Sequence, residues 1–478
     1  MAGLQSAQAG MLVTSQNVTG SSVDGYVRRT STTRINGMSP TSIDLTGTSF
    51  SVEGFSRYFD SLLQGQVLSQ QSQTSYTQTL TQSVSALDAM LTDPATSVAT
   101  ALGNFFNAAG SVANEPTNYA YQQSLMGNAR QVADRVRGLA NAVGQISDNA
   151  RQALADVLNQ ANTLTPQLAS VNAKIRSAAT PGLAYPSADL LDERDRIVGK
   201  LQELVGGTTL INEDGTASYL INGQHLVDRE IANTFANSTG SSPVRNDLPL
   251  TGLRIKVASV DGRHPVLIPL VMDAIEQRAG NGSALTDASG NSLMLAGQTA
   301  LKDGKAGAYV HLIQNFVPTV QKSINLLAAQ LVRKVNQVTD SGGNAIAPIF
   351  GFASSAAGGT PLTTGGLLND LFSSPSTPST DYTYGEIIEA SNSQSSHYRM
   401  SMDNALSRAE FDARQFQVVG TFDASQFAHM DSAASAKLQA MREDFSSPMT
   451  FITSSVATTI ATWKNDHKAN EALQKSLT

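Results

Sequence analysis

At 478 residues the chain is long enough for about three domains and a sizeable core. Charged residues make up only 15% of it and the net charge is −7, so there is no basic stripe to neutralise phosphates, which argues against nucleic acid as a partner. Cysteine is absent, which removes disulfides, thiolate metal sites and a cysteine nucleophile together.

Residues 1 to 23 carry no charged side chain, and Gln5, Gln8, Ser15, Gln16 and Asn17 interrupt any apolar run. Such a segment is neither a cleaved secretory signal nor a membrane span. Leu4, Ala7, Met11, Thr14 and Val18 recur at steps of three and four, which predicts a helix with one apolar stripe in need of a partner. Gly20 to Gly25 supply turn chemistry, and the chain through Gly47 reads as irregular or extended.

From Tyr58 the helical pattern resumes through Leu62, Tyr76, Leu80, Val84, Leu87 and Leu91, with no charge between Asp60 and Asp88. Asp93 followed by Pro94 reads as the N-cap and first residue of another helix. The clearest periodicity runs through Val132, Val136, Leu139, Val143, Ile146, Ala150, Leu154, Val157, Ala161, Leu164, Leu168, Val171 and Ile175. Its three-and-four spacing is that of a coiled-coil-like rod, and Pro166 inside it predicts a kink or a local split.

A short helix from Ser187 precedes a change of period, with alternation around Asp214-Gly215, Asn222-Gly223 and Asp261-Gly262 that predicts antiparallel hairpins. Helix returns from about Gly307 to Val335, and residues 340 to 381 read as a loop or surface insertion. Two last amphipathic helices follow, one through Ala434, Leu438, Met441 and Phe445, the other, after Ser447-Pro448, through Ile452, Val456, Ile460, Trp463, His467, Leu473 and Leu477. Helix at both ends with strands between implies that the terminal helices pack on one another. The expected class is α+β: an elongated multidomain chain with a long antiparallel helical bundle of N- and C-terminal helices and inserted β-rich material. The expected divisions are residues 1–47 as an N-terminal segment, 48–206 with 307–339 and 431–478 as the helical rod, 207–306 as a β-rich domain, and 340–430 as a loop-rich outer insertion.

Chemistry is hard to find. The six histidines (His225, His264, His311, His397, His429, His467) form no helical pair and no metal-ligand motif. The nucleophile elbow, the phosphate-binding loop and the dinucleotide fingerprint are all missing from the sequence. The carboxylates Asp189, Asp192, Glu193 and Asp195 are most simply helix-surface partners, Asp192 for Arg196 and Asp195 for its arginine neighbours. The "NEDGT" stretch suffices as a hairpin turn. No catalytic residue, cofactor or metal ligand is expected, and no enzyme.

Taken together, "GLQSAQAGMLVTSQNVTGSSVDGYVRR" resembles the amino-terminal pattern of bacterial flagellar axial proteins, matched at Asn17, Gly25, Tyr26 and Arg28. "DLLDERDRIVGKLQELVG", placed after a long rod and before hairpins, is similar to the corresponding segment of the flagellar hook-associated protein 1 family. "GKAGAYVHLIQNFVPTVQKSINLLAAQLVRKVNQV", the Gly-rich turn at Asp340 and "PIF" resemble that family's next helix and its exit. The resemblance implies a structural subunit that joins hook to filament as an adaptor layer by helical self-assembly, outside the cell and exported without a cleaved signal peptide. It implies an assembly interface of Leu4, Met11, Asn17, Val18, Gly25, Tyr26 and Arg28. Gly25 would permit the exit from the helix, Tyr26 would bury its ring against the rod, and Arg28 would hydrogen-bond a neighbour. The implied partners are hook protein, the second junction protein, like subunits and an export chaperone, with no membrane insertion. The family begins slightly earlier and ends in one more helix, so the chain looks truncated and the isolated chain is expected to be monomeric. Alternatives are another axial protein, such as the second junction protein, hook protein or flagellin, or an adhesin or enzyme displayed on a helical stalk.

Overall fold

A computed structural model describes residues 2–21, 26–36, 49–57, 60–93, 97–178, 188–237, 244, 250, 253–257, 266–272, 275–276, 294–295, 298–353, 412–420 and 425–477. Helix α1 (Ala2–Gly20) leads into an antiparallel hairpin, β1 (Arg29–Asn36) and β2 (Ser49–Arg57), which resolves the stretch expected to be irregular or extended. Helices α2 (Ser61–Thr92), α3 (Val98–Asn114), α4 (Tyr119–Ala178) and α5 (Ala188–Val205) follow. The chain is α+β, mostly helical with small antiparallel sheets.

The Gln-, Ser- and Thr-rich α2 shows how a nearly uncharged helix can be buried. Asp60 caps it, accepting hydrogen bonds from the Leu62 and Leu63 amides at 2.9 and 3.2 Å. Inside, the Thr74, Thr77 and Thr79 hydroxyls donate to carbonyls one turn back, at 2.9, 3.0 and 2.7 Å. These three hydroxyls thereby find partners within their own helix and cost little to desolvate. Asp93, extended as residues before proline are, ends α2 with its amide on the Ala89 carbonyl, so it is not the N-cap predicted; α3 starts later, after Ser97.

The seam from Val132 to Ile175 is buried along its length, with Leu164 alone partly exposed. Against it pack α3, α5, and the later helices α6 (Gly304–His311) and α7 (Val317–Asn336). Pro166 does not split α4, because partners on both sides hold the turn that lacks a hydrogen bond. Between α6 and α7, Leu312–Phe316 form a π-helical turn just ahead of Pro318, where a wider turn accommodates a residue that cannot donate.

Strands β3 (Thr208–Ile211), β4 (Ala217–Ile221), β5 (Gln224–Asp228) and β6 (Ile231–Ala232) form one sheet in that order. Its β4–β5 turn uses Asn222 and Gly223, both at positive φ, as the sequence predicts. A second sheet joins β7 (Thr234–Ala236), β8 (Arg254–Val257) and β9 (Val266–Pro269). Short pairs β10 (Val271–Met272) with β13 (Gln298–Thr299), and β11 (Ile275–Glu276) with β12 (Met294–Leu295), lie beyond. Asparagines on α4 fasten strands to the rod. Asn172 donates to the Ala217 carbonyl at 2.8 Å and accepts from its amide at 3.0 Å, and Asn162 does the same for Phe235 at 2.9 and 2.7 Å.

The ends of the stretch 340–430 are built into the helical body. β14 (Phe350–Phe352) pairs with β15 (Phe416–Val418), and the Phe350 ring sits 5.4 Å from Phe105 of α3 and 5.2 Å from Phe416. Residues 354–411, expected as the outer loop, lie outside the described residues.

Helix α8 (Ser432–Ala440) gives way to α9 (Arg442–Leu477) at Met441. The interruption predicted at Ser447-Pro448 is absent, since Phe445 and Met449 on either side are buried and carry the helix through it. Helix α9 lies antiparallel along α2: Gln70 donates to the Asn470 carbonyl at 3.0 Å, and Lys464 pairs with Asp88 at 2.6 Å. Helices α2 and α9, far apart in the sequence, thus pack side by side, as their amphipathic patterns imply.

Candidate assembly interface

Of the candidate residues of the amino-terminal segment, Leu4, Met11, Asn17 and Val18 sit on α1, and Tyr26 and Arg28 in the stretch that leads into the hairpin; helix and hairpin together form an arm. Helix α1 buries Val13 and Gly20, with Ala9, Gly10, Gln16 and Asn17 half-covered on the same face, against β1 and β2. The predicted apolar stripe faces away. Leu4, Met11 and Val18 are 62, 67 and 68% exposed, and Ala7 and Thr14 are exposed with them. The chain therefore covers a face of small and polar residues around Val13 and leaves the stripe of Leu4, Met11 and Val18 bare.

Asn17 organises the exit from the helix. Its side-chain nitrogen donates to the Arg29 carbonyl and its oxygen accepts from the Arg29 amide, both at 2.9 Å, mimicking a strand partner. The same oxygen accepts from the Tyr26 hydroxyl at 2.9 Å. The Tyr26 ring lies on Gly20, where an added Cβ would come within 2.6 Å of it, and under the Arg29 guanidinium at 5.0 Å. Gly20 is thus the glycine whose lack of a side chain the packing needs; Gly25 lies outside the described residues. The Tyr26 ring packs on the end of its own helix rather than on the rod, and Arg28 is exposed.

The arm is anchored by two arginines that sequence reasoning passed over. Arg29 opens β1, Arg57 closes β2, and the two are directly opposed in the strand register. Arg29 reaches Asp189 and Asp192, each at 2.6 Å; Arg57 reaches Asp192 at 3.0 Å and Asp195 at 2.6 Å. Arg194 also binds Asp195, at 2.6 Å, and donates to the Gly215 carbonyl in the β3–β4 turn. Three arginines and three aspartates therefore balance. Burial alone would lower the Arg29 guanidinium, but hydrogen bonds to Asp192 and Asp189 outweigh it and hold it above its ordinary value.

This bears out the predicted pairing of Asp195 with its neighbour Arg194 and corrects that of Asp192, which is held by Arg29 and Arg57. Arg196 binds Glu193 at 2.6 Å, its hydrogen bond holding that carboxyl below its ordinary value, while Asp192 turns to the hairpin. The readable signal was the three-residue step from Asp189 to Asp192 to Asp195, which puts three acids on one helix face. Among the described residues, no three His, Asp or Glu side chains converge to hold a metal ion, and no helix is long and apolar enough to cross a membrane.

The family described as "Flagellar hook-associated protein FlgK helical domain" matches residues 84–263, a stretch that takes in α3, α4, the acid row of α5 and the first sheet. The chain is similar to flagellar hook-associated protein 1 of Escherichia coli (strain K12), 26% identical over 263 residues that cover 55% of this chain and 47% of that protein. It is 23% identical to flagellar hook-associated protein 1 of Bacillus subtilis (strain 168) over 266 residues, 50% of this chain and 52% of that one. A solved structure, "The structure of the flagellar hook junction protein FlgK from Burkholderia pseudomallei", aligns with a TM-score of 0.46 and 24% identity over 61% of this chain and 47% of its own. The chain spans about half the length of the curated relatives it matches.

Proposed function

We propose that the chain is a member of the flagellar hook-associated protein 1 family and a structural subunit of the bacterial flagellum, an adaptor layer between hook and filament. The observation that carries the assembly reading is the bare stripe of Leu4, Met11 and Val18 on a helix whose other face is already covered. A stripe of that length on an uncharged helix loses free energy in water and gains it against an apolar partner. The partners that fit are the terminal helices of like subunits, hook protein below and the second junction protein above, with an export chaperone covering the stripe beforehand. Identical subunits meeting head to tail repeat as a helix unless the rotation closes into a ring first.

In this reading α2, α4 and α9 are the long bundle of an elongated subunit placed toward the inner wall, where few charges need desolvating. Residues 207–306 face outward, and the subunit works outside the cell at the flagellum without catalysing a reaction.

A deletion strain of the source bacterium tests the proposal. Cells should make hooks that carry no filaments and shed filament protein into the medium, and the chain with Met11→Asp and Val18→Asp should fail to restore attachment. Deletion cells that keep filaments on their hooks would sink the adaptor reading.

A further inference from the structure

The cluster that joins the arm to α5 does more than add ion pairs. Arg29 and Arg57 face each other across the base of the hairpin, and like charges directly opposed on neighbouring strands repel. That base is therefore unfavourable on its own and becomes favourable only when Asp189, Asp192 and Asp195 stand beneath it, Asp192 reaching both arginines. Charges so enclosed are held to one arrangement, since Arg57 and Asp195 have side chains only 5 and 7% exposed, and withdrawing either leaves the other with one partner instead of two, Arg57 with Asp192 or Asp195 with Arg194.

The chain of contacts continues to α1. Asn17 grips the backbone of Arg29, so wherever Asp192 and Asp189 place Arg29, the end of α1 must follow. On the other side, Arg194 links Asp195 to the β3–β4 turn. We propose that Arg29 and Arg57 are positioning residues: with the acid row of α5 they form a two-pronged clamp that sets the direction in which α1, and the stripe it bears, leaves the helical body. Without the clamp the hairpin base opens, and α1 swings while the body stays folded. This inference concerns the isolated chain and stands whether or not the flagellar reading does.

The absence of cysteine makes the test direct. Thr19→Cys on α1 and Gln152→Cys on α4, both exposed positions, take nitroxide labels, and pulsed electron resonance reads the distance between them. With the clamp intact the distribution should be narrow and single-peaked. Arg57→Gln and Asp192→Asn should each broaden it at least about twofold while far-ultraviolet dichroism and the melting of the body stay as they were, and the double variant should be no broader than the wider single one. A distribution that is already broad in the parent, or one that stays narrow in both variants, overturns the clamp. So does melting of the body in both Arg57→Gln and the near-isosteric Asp192→Asn, because the cluster would then be a stability element and not a director of the arm.

Discussion

Helices α1 and α2 are built from nearly the same residues, Gln, Ser, Thr and Ala with hardly a charge, yet α2 encloses an apolar seam that includes Leu80, Val84 and Leu87, whereas α1 buries little more than Val13. Helix α2 encloses Gln70, Ser72, Thr74, Ser75, Thr77 and Thr79, whereas α1 leaves Leu4, Met11 and Val18 in water. Composition does not separate them; neighbours do. Helix α2 is flanked by α4, α5, α6 and α9, and its Thr74, Thr77 and Thr79 hydroxyls bond to its own carbonyls, so even polar residues can be enclosed. Among the described residues, helix α1 packs chiefly on the hairpin. A helix with weak intrinsic preferences is stabilised by whatever packs on it, and here one half of the molecule supplies partners and the other does not.

The comparison breaks most severely if α2 is stripped of its cover. Trp463 of α9 packs on Phe316 at 5.1 Å and on His311 at 5.7 Å, and His311 in turn stacks on Tyr76 of α2 at 6.3 Å. Trp463→Ala should cost about 3–5 kcal/mol in urea unfolding, with α2 amides exchanging faster than those of α4. A loss below about 1 kcal/mol would mean that α2 holds without α9 and that neighbours do not explain the contrast. Asn172→Ala comes next. It leaves the buried Ala217 amide and carbonyl and the Arg229 carbonyl without the groups they meet, so about 1–3 kcal/mol should be lost, with exchange quickened at Ala217 and unchanged in α2.

These experiments touch elements that differ in how visible they are in the sequence. The α4 seam is legible because a three-and-four step sustained from Val132 to Ile175 has no reading but a buried helix face. The β4–β5 turn is legible because Asn222-Gly223 suits two positive φ values. The arm was recognisable by resemblance at Asn17 and Tyr26, but its hairpin was not, because "RTSTTRIN" has no alternating apolar face and its base is held by acids more than 130 residues away. For the same reason Asp192 looked like a partner of Arg196: proximity along a helix is readable, whereas Arg29 and Arg57 arrive from another part of the chain. The asparagine clips of α4 went unseen too, since nothing in a lone Asn indicates which backbone it will meet.

Acid should loosen the covered side in two separate windows. Burial between Tyr76 and Trp463 lowers His311 below its ordinary 6.5. The unfolded chain therefore takes up that proton more readily, and stability present above about pH 6.5 is lost as pH falls through the lower folded value. Asp340 is held down to about 2, chiefly by hydrogen bonds from the Asn344 side chain and amide, with His429 3.0 Å away. Its contribution is complete above about pH 4 and lost as the pH falls toward about 2. A stability profile against pH should lose its first step in His311→Gln and keep its second; a first step that survives the substitution assigns it elsewhere.

The smallest effect on the chain itself should come from the residues proposed to meet neighbouring subunits. Met11→Ser and Val18→Ser replace side chains that touch solvent, so neither should shift unfolding by more than about 0.5 kcal/mol, in contrast to Trp463→Ala. Serine also keeps α1 uncharged, so any lost function is not electrostatic. If the stripe is the face that neighbouring helices cover, each substitution removes apolar contact from every repeated interface, and filament retention on hooks should fall although the isolated chain unfolds as before. A stability loss of about 2 kcal/mol at either position would instead place the stripe inside the monomer's own packing and erase the difference between α1 and α2.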